Sequence, residues 1–529
     1  MQAESVIDNT PETAGPKHRD PFARPDISGN LRKSSVRGAS LMSMSRIAGM
    51  GLRFISTGIL ARYISQGDFG IFAMTTVISG FLSIFMDVGL TQATIQRPEI
   101  NHRQVSTLFW INVALGAVIA AIFAGSAVPI AHFFHQDDLK KIIPVLALSF
   151  LFGSIALQHL ALLTRNMRYS LLAVVEVTSM ASGVIVAVIM ARAQMGYWAL
   201  VGMAVAPAVT KAIAAWIALR WVPGWPARGT GVRGMLKFGG DVLGFNIVNY
   251  FARQADTVLI GKYCGQIPVA AYDKAYNLLL MPVGQINGPL GAVAIPALSR
   301  LQDDPGRYRR YYLNAILLLS ALSMPVIAAI TLFADQVVLI WLGPKWANTA
   351  DLFRLLALAA LLGGISNPAG WLLISRGLTV RYRWLGVVNS AVIVLAFVIG
   401  LIFGPRGAGE VYSTRGVAIA YSVVMLLNFI PYWAVAVKGT PVSLGGVFKA
   451  MITPALSCIP AALAAWGIMH FSQTSMAVLT AGKLSDKLVA WLPVLGAGLA
   501  FGIIYAVILL FGFKKLEFFR NIAGEFRKR

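Results

Sequence analysis

Four polar side chains share one face of an otherwise apolar stretch between Gly239 and Tyr276. Asn246, Asn249, Arg253 and Asp256 follow one another at spacings of three, four and three, the period that stacks side chains on one side of an α-helix. Tyr250 and Thr257 lie beside them. The stretch is long enough to cross a bilayer, since about 20 residues at 1.5 Å each span the hydrocarbon layer, and Arg253 falls near its middle. An arginine there costs roughly 2.5–3.5 kcal/mol to insert, so it points to function. The face has the chemistry of a wet cavity. Its guanidinium suits phosphate oxygens, and its carboxylate, Asp256, can pair with Arg253 at i+3 or bind a coupling proton or cation.

The same pattern occurs 200 residues earlier, between Ser43 and Phe72. Ile47, Arg53, Thr57, Tyr63 and Gln66 match Ile247, Arg253, Thr257, Tyr263 and Gln266, while Arg62 stands opposite Lys262 and Phe72 opposite Tyr272. A mid-membrane arginine in both copies indicates an internal duplication, a common build of secondary transporters. Arg46 lies seven residues before Arg53 and so about 20° from it around the helix. With Lys211 these cations outnumber the comparably deep carboxylates. Asp87, a second coupling-ion candidate, and Glu176 and Asp241 sit nearer the ends of their segments. The set Arg46, Arg53, Arg253, Lys211, Asn246, Asn249 and Tyr250 is the expected substrate-binding surface of an anion-accepting cavity.

These residues need a membrane bundle to hold them, and composition supplies one. The 529-residue chain is 57% hydrophobic and 13% charged, with a mean hydropathy of +0.69, far too apolar for a soluble globule. About 14 apolar segments follow a polar, proline-bearing start: 39–61, 70–93, 105–130, 142–163, 171–191, 197–219, 239–261, 271–297, 312–334, 350–373, 385–403, 416–437, 447–470 and 488–513. The expected fold is therefore an all-α polytopic membrane protein with two pseudo-symmetric six-helix lobes around a central cavity. Residues 1–37 read as a disordered basic tail, 38–221 as the N-lobe, 222–238 as a linker, 239–437 as the C-lobe, 438–513 as two extra spans and 514–529 as a basic tail.

Of the 45 Lys and Arg residues, 29 fall in loops on the side of the two termini. Positive charge stays inside, so both termini of this multi-pass membrane protein are expected in the cytoplasm, and the net charge of +23 is a matter of topology with no nucleic-acid partner implied.

Other motifs are quieter. No Walker A loop is present, so energy must come from a gradient, a potential or the substrate. The HFFHQDD run, with His132, His135, Asp137 and Asp138, reads as an interfacial turn because nothing nearby completes a metal shell; no metal or cofactor is expected. Trp341 and Trp346 in WLGPKW read as an interfacial aromatic belt. Cys264 and Cys458 make no disulfide framework.

Several runs resemble one family. ARYISQGDFGIFAM from Ala61, FARQADTVLIGKY from Phe251, the stretch from Ala271 to Gln302, and WLGPKW with the FRLLAL that follows are similar to the Wzx-type polysaccharide-transport flippases of the multidrug/oligosaccharidyl-lipid/polysaccharide exporter superfamily. The likeness covers nearly all of residues 38–450. It implies a V-shaped cavity between two lobes that opens alternately to either side, and outward flipping of undecaprenyl-diphosphate-linked oligosaccharide units for exopolysaccharide or lipopolysaccharide assembly. A polymerase and export machinery would be partners, along with membrane lipid. Cavity arginines are carried over onto Arg46, Arg53 and Arg253 only. A multidrug exporter of the same superfamily would instead want acidic cavity residues for cationic drugs. A polysaccharide polymerase would want a long outward loop with catalytic side chains, and the outward loops here are short; no enzymatic activity is expected.

Overall fold

The computed structural model describes residues 22, 31–86, 90–97, 99–227, 250–251, 253–407, 411–471, 484–513, 515–517 and 519–520; the side chains of 31–37, 39, 43 and 484–492 fall outside that description. Asn246, Asn249, Asp87, most of both tails and most of the linker therefore lie outside the described residues.

Helices fill the chain. The first half runs α1 (Leu31–Tyr63), α2 (Gln66–Ser83), α3 (Leu90–Gln96), α4 (His102–Gly125), α5 (Ala127–Phe134), α6 (Leu139–Arg165), α7 (Tyr169–Arg192) and α8 (Tyr197–Leu219). The second half repeats this order as α9 (250–263), α10 (Gln266–Arg300), α11 (Pro305–Leu332), α12 (Ala334–Trp341), α13 (Asn348–Ser366) with α14 (Pro368–Ser375), α15 (Thr379–Phe403) and α16 (Thr414–Val437). Two further helices close the chain, α17 (Leu444–Phe471) and α18 (Leu484–Val507). Among the described residues, eleven helices are long and apolar enough to cross a membrane; α1, α2 and α9 occupy the three other expected segments.

Local chemistry sets the ends. Asn101 and Gln104 form a reciprocal capping box at the start of α4, and the Ser65 and Ser413 hydroxyls accept from the amides of Asp68 and Gly416 to start α2 and α16, satisfying donors a helix start would leave bare. The duplication is visible in the helices themselves. α1 and α9 end at Tyr63 and Tyr263, α2 and α10 begin at Gln66 and Gln266, and a short eight-residue helix, α5 or α12, precedes the long fourth span of each half. α10 runs unbroken for 35 residues, whereas its counterpart is split into α2 and α3.

The distribution of buried residues describes the shape. The end that carries the 63–66 and 263–266 turns is the one the charge pattern leads us to expect outside, and it is called the outer end below. There, one continuous apolar core joins both halves, from Leu60 and Phe69 through Phe134 and Ile143 to Leu279, Trp346 and Phe353. Toward the other end the core divides. Val105, Leu162 and Trp221 belong to a cluster of the first half, and Leu298, Tyr312 and Trp433 to one of the second. Two lobes are thus welded at the outer end and separately packed at the inner one. α17 lies along α11 and α18 along α17, with the Tyr505 hydroxyl donating to the Ala321 carbonyl (2.9 Å).

Candidate functional site

Arg53 and Arg253 each sit ten residues before the end of their helix, about 15 Å below the outer end and close to mid-membrane. Both side chains, and that of Arg46, are exposed rather than packed, and among the described residues none of the three has an ion-pair partner. Lys211 is different. Its ammonium meets Glu176 at 2.8 Å between α8 and α7, so this cation is already neutralised. Asp256 also departs from the expected i+3 pairing. It is buried, accepting from the Thr257 amide (2.6 Å) and the Tyr272 hydroxyl (3.0 Å), which leaves Arg253 without its carboxylate. Tyr250 donates to the Val77 carbonyl (2.6 Å), its ring filling the space over Gly80; it ties α9 to α2 across the lobes.

Arg253 lines a cavity of about 340 Å³ walled by α10, α13, α14, α15 and α16. Four tyrosines, Tyr276, Tyr382, Tyr421 and Tyr432, present rings or hydroxyls to it, and Asn367, Asn389 and Asn428 add amides. Asn428 donates to Asn389 (2.7 Å). Among the described residues, no Asp or Glu lines it. Arg46, Arg53 and Lys211 do not belong to this wall, so of the expected cations the structure brings only Arg253 into it. Sequence reasoning missed the tyrosines and asparagines; their signal, uncharged polar groups inside apolar segments, is weaker than that of an arginine.

The outer end is fastened by side chains the sequence assigns elsewhere. Trp341 and Trp346 are not a lipid-facing belt. The Trp346 side chain is fully buried, and its indole N–H donates to the Ala61 carbonyl (3.2 Å); that of Trp341 donates to the Phe54 carbonyl (2.9 Å), with the Phe54 ring stacked on it at 4.7 Å. The physical reason is Gly58. A Cβ there would stand 2.8 Å from the Trp341 carbonyl oxygen, and its absence lets α12 lie against α1. Arg62 donates to the Ile340 carbonyl (2.9 Å), and Gln66 to the Lys345 carbonyl (2.7 Å) and Asn348 (3.0 Å). At Gly70 the backbones of α2 and α10 touch, where any side chain would collide with Gln266. Among the described residues, no cross-lobe hydrogen bond lies nearer the inner end than that of Tyr250 with Val77.

At the inner end each lobe has its own clamp, also unforeseen. The buried Arg165 guanidinium donates to the carbonyls of Thr94 (3.0 Å), Arg97 (2.6 Å) and Phe22 (3.3 Å), and Arg376 donates to the Gln302 carbonyl (3.1 Å). Both arginines hold the connection after the second span of their lobe. The HFFHQDD run forms the expected turn. His135 takes a left-handed conformation at the end of α5 (φ 56°), Asp137 pairs with Lys140 (2.6 Å), which holds its carboxyl below the usual carboxylate range, and Asp138 accepts from Tyr197 (3.3 Å).

Comparison with known proteins gives concordant results. The family described as "Polysaccharide biosynthesis protein" matches residues 59–351. The chain is 25% identical, over 77% of its length and 82% of the relative's, to the lipopolysaccharide biosynthesis protein WzxC of Escherichia coli. It is 26% identical, over 84% and 91%, to the teichuronic acid biosynthesis protein TuaB of Bacillus subtilis. The lipid II flippase MurJ in an inward closed conformation shares the fold, with a TM-score of 0.64 at 13% identity over 89% of this chain and 99% of that one. An inward-facing multidrug resistance transporter of the MATE family gives 0.54 at 15% identity, over 76% of this chain and all of that one.

Proposed function

Because the chain belongs to the polysaccharide biosynthesis protein family, we propose that it is an inner-membrane flippase. It carries undecaprenyl-diphosphate-linked oligosaccharide units from the cytoplasmic to the outer leaflet by alternating access of its two lobes, handing them to a polymerase and export machinery. The observation that carries this reading is the set of mid-membrane arginines on α1 and α9 without carboxylate partners among the described residues. Unpaired guanidinium at that depth is costly unless an anion completes it, and a diphosphate is the anion such a substrate offers. Arg53 and Arg253 take one face of it each, Arg46 lies along the approach, and the prenyl chain remains in lipid. The relatives' names support the glycan pathway, and the absence of acidic groups from the cavity around Arg253 speaks against a carrier of cationic drugs.

The joint outer core and separate inner cores fit a state closed to the outside that accepts substrate from the cytoplasm. Both termini face inward by the charge asymmetry, which reporter fusions at Trp225 (inside) and Gln136 (outside) would check. Coupling of a proton or cation to lobe movement falls in this reading to Asp256, which is buried against Tyr272 where α9 meets α10, with Asp87 a weaker second choice.

The test is accumulation of inward-facing lipid-linked units in cells carrying Arg53→Ala or Arg253→Ala protein at normal membrane abundance. A charge-assisted bond to phosphate contributes roughly 1.5–3 kcal/mol, so each change should cut export by about one to two decades, and Arg→Lys should restore it only in part, since the bidentate fork is lost. Normal export by both folded alanine variants would refute the diphosphate role.

A further inference from the structure

The cavity beside Arg253 has a chemistry narrower than anion binding. A pyranose presents apolar C–H faces and a rim of hydroxyls that are both donors and acceptors. Its complement is a wall of ring faces edged by hydroxyls and amides. Tyr276, Tyr382, Tyr421 and Tyr432 supply the rings, each amphipathic in the way such a ligand needs. The Asn389–Asn428 bond uses one donor and one acceptor of the pair, which leaves amide N–H groups on one residue and carbonyl capacity on the other for a ligand.

The space is kept open by glycines that helices do not favour. A Cβ built on Gly284 of α10 meets no other atom within 4 Å, and one on Gly363 of α13 meets only Met425 Sδ and the Tyr421 hydroxyl, both at 4.0 Å. Neither glycine is required by close helix contact. At about 340 Å³ the cavity lies at the small end of ligand pockets, too small for a whole oligosaccharide and suited to a terminal or phosphate-proximal saccharide unit.

We propose that this C-lobe cavity is a saccharide-binding subsite, holding the sugar next to the diphosphate while Arg253 at its edge takes the phosphate. The assignment rests on the flippase reading and adds to it where glycan recognition occurs: in one lobe rather than evenly between the two.

The experiment uses the full-length protein in nanodiscs and native mass spectrometry, which reads bound lipid by mass. Two probes are compared: undecaprenyl diphosphate, and the glycan-bearing lipid extracted from polymerase-deficient cells of the strain that carries the gene. The wild-type protein should bind the glycan-bearing lipid on the order of tenfold more tightly. In Gly284→Leu and Gly363→Leu, which fill the cavity from α10 and from α13 with a better helix former, the ratio of the two dissociation constants should fall toward one. Asn389→Ala, which adds no volume, should lower it as well. A ratio of one in the wild-type protein, or an unchanged ratio in the leucine and Asn389→Ala variants, overturns the subsite and leaves the flippase reading standing. Binding of neither lipid by the wild-type protein overturns both.

Discussion

The two lobes match span for span but not in chemistry. Between the fifth and sixth spans of the N-lobe, α7 and α8, Glu176 and Lys211 form an ion pair. Between their counterparts α15 and α16, the polar contact is the amide pair of Asn389 and Asn428, opening on a polar cavity. A pocket at α7 and α8 is apolar, lined by Val186, Met190, Trp198 and Val205. The same inequality holds at the outer end, where each lobe's short helix lies against the other lobe's first helix. The C-lobe's α12 and the turn after it reach α1 through two indole N–H bonds. The N-lobe's α5 meets α9 by packing of Phe134 on Gly261 and by Lys262 over the Phe133 ring at 4.2 Å, with no hydrogen bond between the two helices among the described residues. The two halves share a backbone frame, while the C-lobe holds the polar cavity of the proposed saccharide subsite and the indole bonds that reach across the outer end.

The largest effect expected from this inequality comes from Trp346→Ala. It removes a fully buried indole and its bond to Ala61, a truncation that costs about 3–5 kcal/mol in a packed core. Much of that cost falls on the outer-closed state, so the lobes should part there. Spin labels at the exposed Met195 and Phe403, one in each lobe, should report a longer distance in the variant by pulsed electron resonance. An unchanged distance in a folded protein would mean that the C-lobe latch does not hold the outer end.

How much of this could be read from the chain depends on how local the signal was. The bundle was legible because each span is a contiguous apolar run, and the duplication because Gln66 and Gln266 start equivalent helices at a fixed offset. Arg253 stood out since a charge in hydrocarbon is costly by itself. Trp341 and Trp346 were misassigned because an indole at the headgroup level and one bridging two lobes have the same local sequence; only Gly58, nearly three hundred residues away, distinguishes them. The cavity was hidden for a similar reason. Its wall comes from five helices of one lobe plus Arg253, so no short motif contains it, and tyrosines or asparagines scattered in apolar runs are individually cheap to bury once bonded. Arg165 was counted only as a loop charge, although its real partners are backbone carbonyls that carry no side-chain signature.

A smaller effect should come from the N-lobe ion pair. Each side chain keeps about a third of its surface exposed, 30% for Lys211 and 32% for Glu176, so breaking the pair by Lys211→Met or Glu176→Gln should cost about 1–2 kcal/mol, less than the 3–5 typical of fully buried pairs. The double variant removes both charges and should recover most of the thermal stability and export. If the double variant stays folded but does not export, the pair takes part in transport and does more than hold α7 to α8.

The smallest effect sharpens the comparison at the outer end. Phe133→Leu keeps apolar bulk on α5 but removes the ring face under Lys262. Phe133 is 41% exposed, and a cation–π contact at an exposed site contributes about 0.5–1 kcal/mol, so the outer-closed population should change by about two- to fivefold. The Met195–Phe403 label pair should therefore show a minor second distance rather than the wholesale shift expected of Trp346→Ala. The direction is the same, because both contacts exist only while the outer end is closed, and the difference in size measures the inequality of the two clasps. Equal shifts from the two variants would mean that α5 and α12 share the latch, with the hydrogen bonds of Trp341 and Trp346 adding nothing beyond packing. A larger shift from Phe133→Leu would reverse the assignment and make the N-lobe the one that locks.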